Sequence, residues 1–263
     1  MKLKLFSVTA FLLILASCNK RSNSDNSPAP VSRDGVYNNG IIATGTISNS
    51  GVTAPSGFKW SEAQHDNAGI SNVVIGFACY SDYFSKYRAA DDFLIPTGQN
   101  WEIKKISVYA TGASGPVSPF DSLRIEIWNG DPSLTTSSAI YGDFTSNVLS
   151  ASTDSLTYVI QNSSVPSPGV LPNTLYNVWK LSANVNKTLV SGTYWLVWQV
   201  HKTNNTEASF SPAIKVKGSR GLSNWNAKVY NALNVWQDLT DVGNPYTIPR
   251  VPQDLPFEIV YKY

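Results

Sequence analysis

The sequence predicts an all-β fold: a jelly-roll-like β-sandwich that forms a single domain after a flexible N-terminal tether. Three observations lead to this prediction. Apolar and polar residues alternate over many short segments, turn-forming residues separate these segments, and helical periodicity is scarce. Many short strands with frequent turns are typical of sandwiches and barrels, and the uneven loop lengths favour a double-sheet jelly roll.

Period-two alternation predicts the individual strands. In residues 122–128, three aliphatic side chains share one face, and Arg124, Glu126 and Trp128 share the other. The stretch TYWLVWQV, residues 193–200, is apolar on both faces, which predicts a central strand. Further alternating stretches are residues 106–110 and 257–263.

Turn-forming sequences separate these strands, as in PTG at 96–98 and NGDP at 129–132. Helical structure is expected only as one short turn over residues 61–66. Neither a second polar linker nor an internal repeat interrupts the chain after the N-terminal region, so we expect residues 36–263 to form one β-sandwich domain.

The first 17 residues have the features of a bacterial lipoprotein signal peptide. A basic start precedes an apolar segment that is too short to span a bilayer, and LASC at residues 15–18 matches the lipobox. An ordinary signal peptide with an accidental cysteine is the weaker alternative, because the small residues and the cysteine fall at the required spacing. We therefore expect Cys18 to be acylated and to anchor the protein to a membrane.

The segment that follows is expected to be a tether. Residues 18–35 comprise the lipidated cysteine and a stretch rich in Ser, Asn and Pro that cannot bury enough apolar surface to fold. Asn19 is not aspartate, so the inner-membrane retention signal of enterobacteria is absent. We expect an outer-membrane lipoprotein on either the periplasmic or the cell-surface side. Cys79 is then left without a disulfide partner, and we interpret it as a small buried hydrophobe.

The charge balance argues against a nucleic-acid partner. The chain has 20 Lys and Arg against 18 Asp and Glu, and removal of a leader that carries Lys2 and Lys4 leaves 18 of each. Nucleic-acid binders usually present a clustered basic face. Only Lys215, Lys217 and Arg220 cluster in this sequence, and we interpret them as part of a solvated edge strand.

Several segments occur in an order that resembles a known domain family. They are YNNG at 37–40, RAADDFLIPTGQNWEIKKISVYA at 88–110, LRIEIWNGDP at 123–132, YGDFTSN at 141–147, SGTYWLVWQV at 191–200 and LPFEIV at 255–260. Together they are similar to a β-rich domain of secreted bacterial proteins that often stands beside cell-surface sorting signals. The stretch before residue 88 and the lipid anchor depart from that pattern. The resemblance implies a β-rich fold and an envelope location, and it implies no activity.

Recognisable catalytic motifs are absent from the sequence. It has no G-x-S-x-G elbow, no H-E-x-x-H pair and no phosphate-binding glycine loop. Glycoside hydrolysis needs only two carboxylates across a cleft, so it remains as the enzyme alternative. Glu102, Glu126 and Glu258 each lie in alternating strands, where a solvent-facing charge is expected.

Adjacent Asp91 and Asp92 are candidate ligands of a structural calcium ion, because hard cations take carboxylate and backbone oxygens. Neighbouring strand residues point to opposite faces, so both can bind one ion only if the strand has not yet begun. The alternative is that one aspartate caps a turn while the other faces water. Asp131 and Asp143 are weaker additional ligand candidates.

The aromatic content, with eight Trp and 13 Tyr, suggests a glycan-binding surface. If Trp198 points inward, then Trp195, Gln199 and His201 share the opposite face of their strand. Arg124, Glu126 and Trp128 form a similar row elsewhere. If both rows lie on one sheet, they could bind a glycan; the alternative is that these large aromatics are covered, as is common in β-sandwiches.

Two function hypotheses result from these observations. The first is a non-catalytic binding module held at the cell envelope, with glycans as its candidate ligands. The second is a structural or protein-interaction lipoprotein of the outer membrane, with another envelope protein as its partner. A glycoside hydrolase is the less favoured third option.

Overall fold

The strands predicted from alternation are present in the structure, a computed structural model that describes residues 33–63, 65–66, 69–70, 75–81, 86–161, 172–204, 208–246 and 250–263. These residues contain strands and turns but no helix, which confirms the all-β class. The helical turn expected over residues 61–66 is wrong, because Lys59–Glu62 is a strand. The signal peptide and Cys18 lie outside the described residues.

Sixteen strands make up the described regular structure. In chain order they are β1 (Asp34–Asn38), β2 (Lys59–Glu62), β3 (Gly76–Ala78), β4 (Arg88–Ile95), β5 (Trp101–Ala113), β6 (Phe120–Trp128), β7 (Ala139–Asp143), β8 (Leu149–Ile160), β9 (Tyr176–Leu189), β10 (Gly192–Lys202), β11 (Phe210–Pro212), β12 (Lys228–Tyr230), β13 (Trp236–Asp238), β14 (Thr240–Asp241), β15 (Val251–Pro252) and β16 (Phe257–Lys262).

Two six-stranded sheets carry the architecture. The first sheet has the order β1-β16-β5-β9-β8-β2, and the second has the order β13-β12-β4-β10-β6-β7. Neighbouring strands in both sheets are antiparallel, except that β2 runs parallel to β8. Two smaller two-stranded sheets pair β11 with β3 and β14 with β15. Residues 32–263 form one compact unit, and the described part of the chain contains no helix that is long and apolar enough to cross a membrane.

The main core draws its buried side chains from both six-stranded sheets, as in a β-sandwich. The aliphatic face of β6 is buried as predicted, and so are Ile106, Val108 and Ala110 of β5. In the alternating stretch 257–263, Phe257 and Ile259 are buried, whereas Tyr261 is half-buried and Tyr263 is exposed. Aromatic contacts join the two sheets: the Phe93 ring stacks on Trp101 with centroids 6.4 Å apart, and Trp198 packs on Phe257 at 6.2 Å. Loss of such a buried ring typically costs about 3–5 kcal/mol.

The strand β10 is central, as its double-sided apolar pattern predicts. It lies between β4 and β6. Its inward side chains join the main core, and its outward Trp195 and Val197 are buried in a separate cluster with Ala90. Cys79 is also buried, as expected, and its burial raises the pKa of the thiol to about 12. This thiol is therefore not a ready nucleophile.

Candidate functional site

The two predicted rows of outward side chains lie side by side on the outer face of the second sheet. Strands β6 and β10 are hydrogen-bonded neighbours, and Trp195 lies opposite Trp128 in their register. Gln199 lies opposite Arg124, and Glu126 stands between the two pairs along β6. The sequence prediction left open whether these rows share a sheet, and the pairing brings them together.

The aromatic part of this face is a covered floor with half-buried rings above it. Trp195 is only 5% exposed. The half-buried rings of Trp128, Phe144 and Trp236 pack against its cluster, and the Lys228 ammonium lies 5.9 Å from the centroid of the Trp195 ring. A ligand on this face would therefore meet the surrounding rings before it met Trp195.

Gln199 and Arg124, at the middle of the two strands, make hydrogen bonds to other groups of the protein. The Gln199 side-chain amide donates a hydrogen bond to the Tyr87 carbonyl at 3.0 Å. The Arg124 guanidinium donates to the Ser81 hydroxyl at 3.0 Å and to the Gln199 side-chain oxygen at 3.4 Å. These bonds satisfy the buried amide of Gln199 and connect β6 and β10 to Ser81 and Tyr87, which lie between β3 and β4.

Beyond the Arg124–Gln199 pair, charged and aromatic side chains lie next to one another on the same face of the sheet. The Trp128 indole N–H donates to a Glu126 carboxylate oxygen at 2.8 Å. The Arg88 guanidinium lies over the Phe144 ring at 3.9 Å and near the Tyr230 ring at 4.9 Å. Burial raises the pKa of Glu126 above its ordinary value, against the indole hydrogen bond and the Arg88 charge, which lower it. Such a mixture offers stacking surfaces and charged hydrogen-bonding groups together.

His201 lies apart from the tryptophan pair. It is six residues along β10 from Trp195, about 20 Å by strand geometry. Its Nδ1 lies 2.6 Å from an Asp121 carboxylate oxygen near the start of β6. The predicted row therefore divides into an aromatic end and a histidine end that one small ligand would not bridge.

Asp91 and Asp92 point to opposite faces of their strand, because β4 already begins at Arg88. The Asp91 carboxylate is buried and accepts hydrogen bonds from the Asn39 side-chain amide at 2.8 Å and the Leu255 backbone N–H at 2.7 Å. Its other oxygen accepts the Asp92 backbone N–H at 2.8 Å. The arrangement does not support one ion shared by both side chains.

Burial, together with neighbouring carboxylates, raises the pKa values of Asp91 and Asp254. Burial, with the Asp254 charge as the next largest cause, holds the pKa of Asp91 well above its ordinary value. Burial and the Asp92 charge raise the pKa of Asp254 to about 6, although two backbone N–H groups lower it. Within the described residues, no group of three or more His, Cys, Asp or Glu side chains could hold a metal ion.

The two weaker candidates for metal ligands, Asp143 and Asp131, make hydrogen bonds in turns, and Asp131 also forms an ion pair. Asp143 accepts hydrogen bonds from Thr145 and Ser146 in the turn that follows β7, and these bonds lower the pKa of its carboxyl. Asp131 accepts the Ser133 backbone N–H at 2.8 Å and pairs with Lys228 at 3.4 Å.

The three glutamates considered for glycoside hydrolysis do not meet. Glu102 and Glu258 lie on the first sheet, where they pair with Lys104 and, at 2.8 Å, with Lys180. Glu126 lies on the second sheet. This set therefore does not form two carboxylates across one cleft.

The interpretation of the basic cluster as a solvated edge strand is wrong. Lys215 is 3% exposed and Arg220 is also buried. Arg220 lies between two carboxylates, with Asp241 at 2.7 Å and Asp66 at 3.2 Å. Only Lys217 is exposed. The reason is tertiary: a loop packs over the segment, and the Lys215 backbone N–H donates to the Ile41 carbonyl.

A cavity of about 590 Å³ lies between that loop, the end of β2 and residues 215–218. Lys215, Glu62 and His65 are among its lining residues. Burial lowers the pKa of Lys215 to about 8, although the Glu62 charge raises it. Sequence reasoning missed this site, because the alternating residues around Lys215 predict a lysine that faces water.

Comparisons of the chain with protein-family models, with curated proteins and with solved structures found no match.

Proposed function

We propose that this chain is a lipid-anchored protein of the cell envelope whose β-sandwich acts as a non-catalytic binding module for glycans. The observation that carries the proposal is the juxtaposition of tryptophan rings and charged groups on the outer face of the second sheet. A sugar ring has an apolar C–H face and a rim of hydroxyls. Trp128 and Trp236 offer ring surfaces above the Trp195 floor, and Arg88 and Glu126 offer hydrogen-bonding groups beside them.

The strand order supports a jelly-roll topology for this module. Strands β1, β16, β5 and β9 are consecutive in the first sheet, and β4, β10, β6 and β7 are consecutive in the second. Connected in chain order, these eight strands follow the two Greek keys of a jelly roll. Strands β8 and β2 then extend one sheet, and β12 and β13 extend the other. Jelly rolls occur in lectin domains, which agrees with a glycan ligand.

The envelope location depends on the N-terminal motif. The lipobox LASC at residues 15–18 supports acylation of Cys18, and the absence of aspartate at residue 19 favours the outer membrane. A lipid anchor would hold the binding module within reach of envelope polysaccharides on either the periplasmic or the cell-surface side.

A glycan array probed with the protein without its lipid anchor tests the proposal. We expect binding to a restricted class of glycans, and we expect Trp236→Ala to abolish it with little change in melting temperature, because this ring is half-buried on an edge strand. Tyr176→Ala, which removes an exposed ring from the first sheet, is the matched control. An empty array, or a Trp236 variant that binds as the wild type does, would contradict the glycan proposal.

One observation favours the structural or protein-interaction alternative. The turn between β12 and β13 exposes Leu233, 80% accessible, together with Val235. This apolar tip stands at the edge of the second sheet. Cross-linking in intact cells compares the wild type with Leu233→Asp. Loss of a specific adduct in the variant, together with an empty glycan array, would favour this alternative.

A further inference from the structure

We infer that the cavity bounded by β2, residues 41–49 and residues 215–218 is a binding site for a small organic carboxylate, with the Lys215 ammonium as its ion-pair partner. The cavity's volume of about 590 Å³ lies within the range of small-molecule sites. Strand β2 is an edge strand of the first sheet. The site is therefore separate from the proposed glycan surface and does not depend on it.

Lys215 supplies the first step of the argument. Its side chain lines the cavity and is almost completely buried. Among the described residues its ammonium makes no hydrogen bond and no close ion pair, and only the charge of Glu62 acts on it from within the cavity lining. Buried Arg220 nearby, in contrast, has two carboxylate partners within 4 Å. A buried charge without a partner costs several kcal/mol, so an anion that enters the cavity is stabilised by this group.

The charge balance selects the kind of anion. Among the described lining residues, Lys215 and Lys217 bring two positive charges to the cavity, and Glu62 brings one negative charge. Glu62 is itself buried, and its carboxylate accepts the Asn49 backbone N–H at 2.8 Å. The remaining single positive charge matches a monoanion, and the fixed Glu62 charge repels a dianion such as phosphate.

The remaining lining residues favour an organic ligand over a bare inorganic ion. Ile41 and Ile47 line the same cavity and are more than half exposed, so they offer apolar contact to a ligand body. Thr44, Asn49 and His65 bring polar groups to the same space. A compact molecule with one carboxylate, an apolar face and a few hydroxyl or amide groups fits this combination.

Isothermal titration calorimetry of the protein without its lipid anchor, with small carboxylates as ligands, tests the inference. The panel contains glucuronate, N-acetylneuraminate and benzoate, with glucose and benzyl alcohol as neutral counterparts and inorganic phosphate as the competing anion. We expect at least one carboxylate to bind saturably and its neutral counterpart not to bind. Lys215→Met should weaken that binding at least about tenfold, and Lys217→Met, which removes an exposed charge, should weaken it only a few-fold.

Glu62→Gln provides a readout of opposite sign that does not depend on the Lys215 variant being folded. A glutamine oxygen can still accept the Asn49 N–H, while the negative charge is gone. Loss of the Glu62 charge also lowers the pKa of Lys215 further below its value of about 8, so the titration is run at pH 6, where the ammonium stays protonated. Carboxylate affinity should then rise. The inference is overturned if no carboxylate of the panel binds, if phosphate binds more tightly than every carboxylate, or if neither Lys215→Met nor Glu62→Gln changes the affinity. The glycan-array result neither supports nor contradicts this inference, because the cavity is separate from the proposed glycan surface.

Discussion

Two buried ionisable side chains, Asp91 and Lys215, differ in the partners that the fold provides for them. Asp91 lies in β4 and accepts three hydrogen bonds, one each from Asn39, Leu255 and its own neighbour Asp92. Lys215 is as deeply buried but has no such partners among the described residues, and it lines a cavity. The contrast distinguishes a charge that joins parts of the fold from one that is available to a ligand.

Asp91 performs a structural task that its neighbour along the strand cannot share. Its hydrogen bonds connect β4 of the second sheet to Asn39, next to β1, and to Leu255, just before β16. Both partners adjoin strands of the first sheet. The carboxylate therefore links the two sheets of the sandwich at one end.

The largest expected effect is on this link. Asp91→Ala removes the acceptor of the buried Leu255 N–H and of two part-buried donors, the Asn39 amide and the Asp92 N–H. An unsatisfied buried donor costs about 1–3 kcal/mol, so we expect a total loss of about 3 kcal/mol in the free energy of unfolding. Urea denaturation measures this loss. Asp92→Ala is the control, with a clearly smaller loss because the Asp92 side chain is half-buried. Equal losses in the two variants would mean that the links made by Asp91 contribute little.

Trp195→Ala should have the second-largest effect on stability. This variant tests whether the Trp195 ring is covered by its neighbours or exposed to bind a ligand. With the ring 5% exposed, we expect truncation to cost about 3 kcal/mol or more. Melting temperature and polysaccharide pull-down of the same variant are the measurements. A strongly destabilised protein would rule out Trp195 as an exposed platform and leave the surrounding rings to carry a sugar site. A stable variant that loses binding would contradict the burial described above.

Lys215→Met should stabilise the protein, with a pH dependence that reveals its cause. The pKa of Lys215 is about 8 in the folded protein and about 10.5 in the unfolded chain. Between pH 8 and pH 10.5 the unfolded chain therefore binds more protons than the folded protein. The wild type therefore gains stability as pH rises from 8 to 10.5. The variant lacks this titration, and its advantage of up to about 3 kcal/mol at pH 7 should shrink over that window.

Denaturant titrations of both proteins at pH 7 and pH 10 measure this difference. Lys217→Met, whose side chain is exposed, should show no comparable advantage at either pH. A Lys215 variant that is destabilised at pH 7 would indicate that the ammonium has a partner in the folded protein, and the contrast with Asp91 would fail.

The smallest effect on stability is expected at Cys18, which precedes the domain. Cys18→Ser should release the protein from the membrane fraction without a change in melting temperature, because we expect the tether to separate the lipid from the fold. Fractionation with a carbonate wash measures the first outcome. A variant that still sediments with membranes would contradict the lipoprotein prediction.

Much of the fold could be predicted because alternation is a local property. The inward face of β6 follows from alternation at period two, the central position of β10 from its apolar residues on both faces, and the burial of Cys79 from its apolar character. The prediction of a helical turn at residues 61–66 is wrong because it, too, uses only local sequence. Ser61 and Glu62, the first two residues of that stretch, pair in parallel with β8, and a parallel partner distant in the chain leaves no local pattern.

The candidate sites were less predictable, because each depends on what covers a strand or segment. Alternation placed Trp195 on the outer face, but the rings and the Lys228 side chain that cover it come from β6, β12, β13 and the turn after β7. Similarly, the polar character of Lys215 predicted exposure to water. It is buried instead, beside the cavity that residues 41–49 also line.

The sequence by itself determined the all-β class, the face of each alternating strand and the prediction of a lipid-anchored envelope protein, because these depend on residue type and short-range order. Only the tertiary structure decided that the rows on β6 and β10 are neighbours, that Asp91 links the two sheets and that Lys215 is buried beside a cavity. The physical reason is that strand pairing and loop packing join residues far apart in the chain. Burial, which sets the cost of a charge, is a property of that assembly.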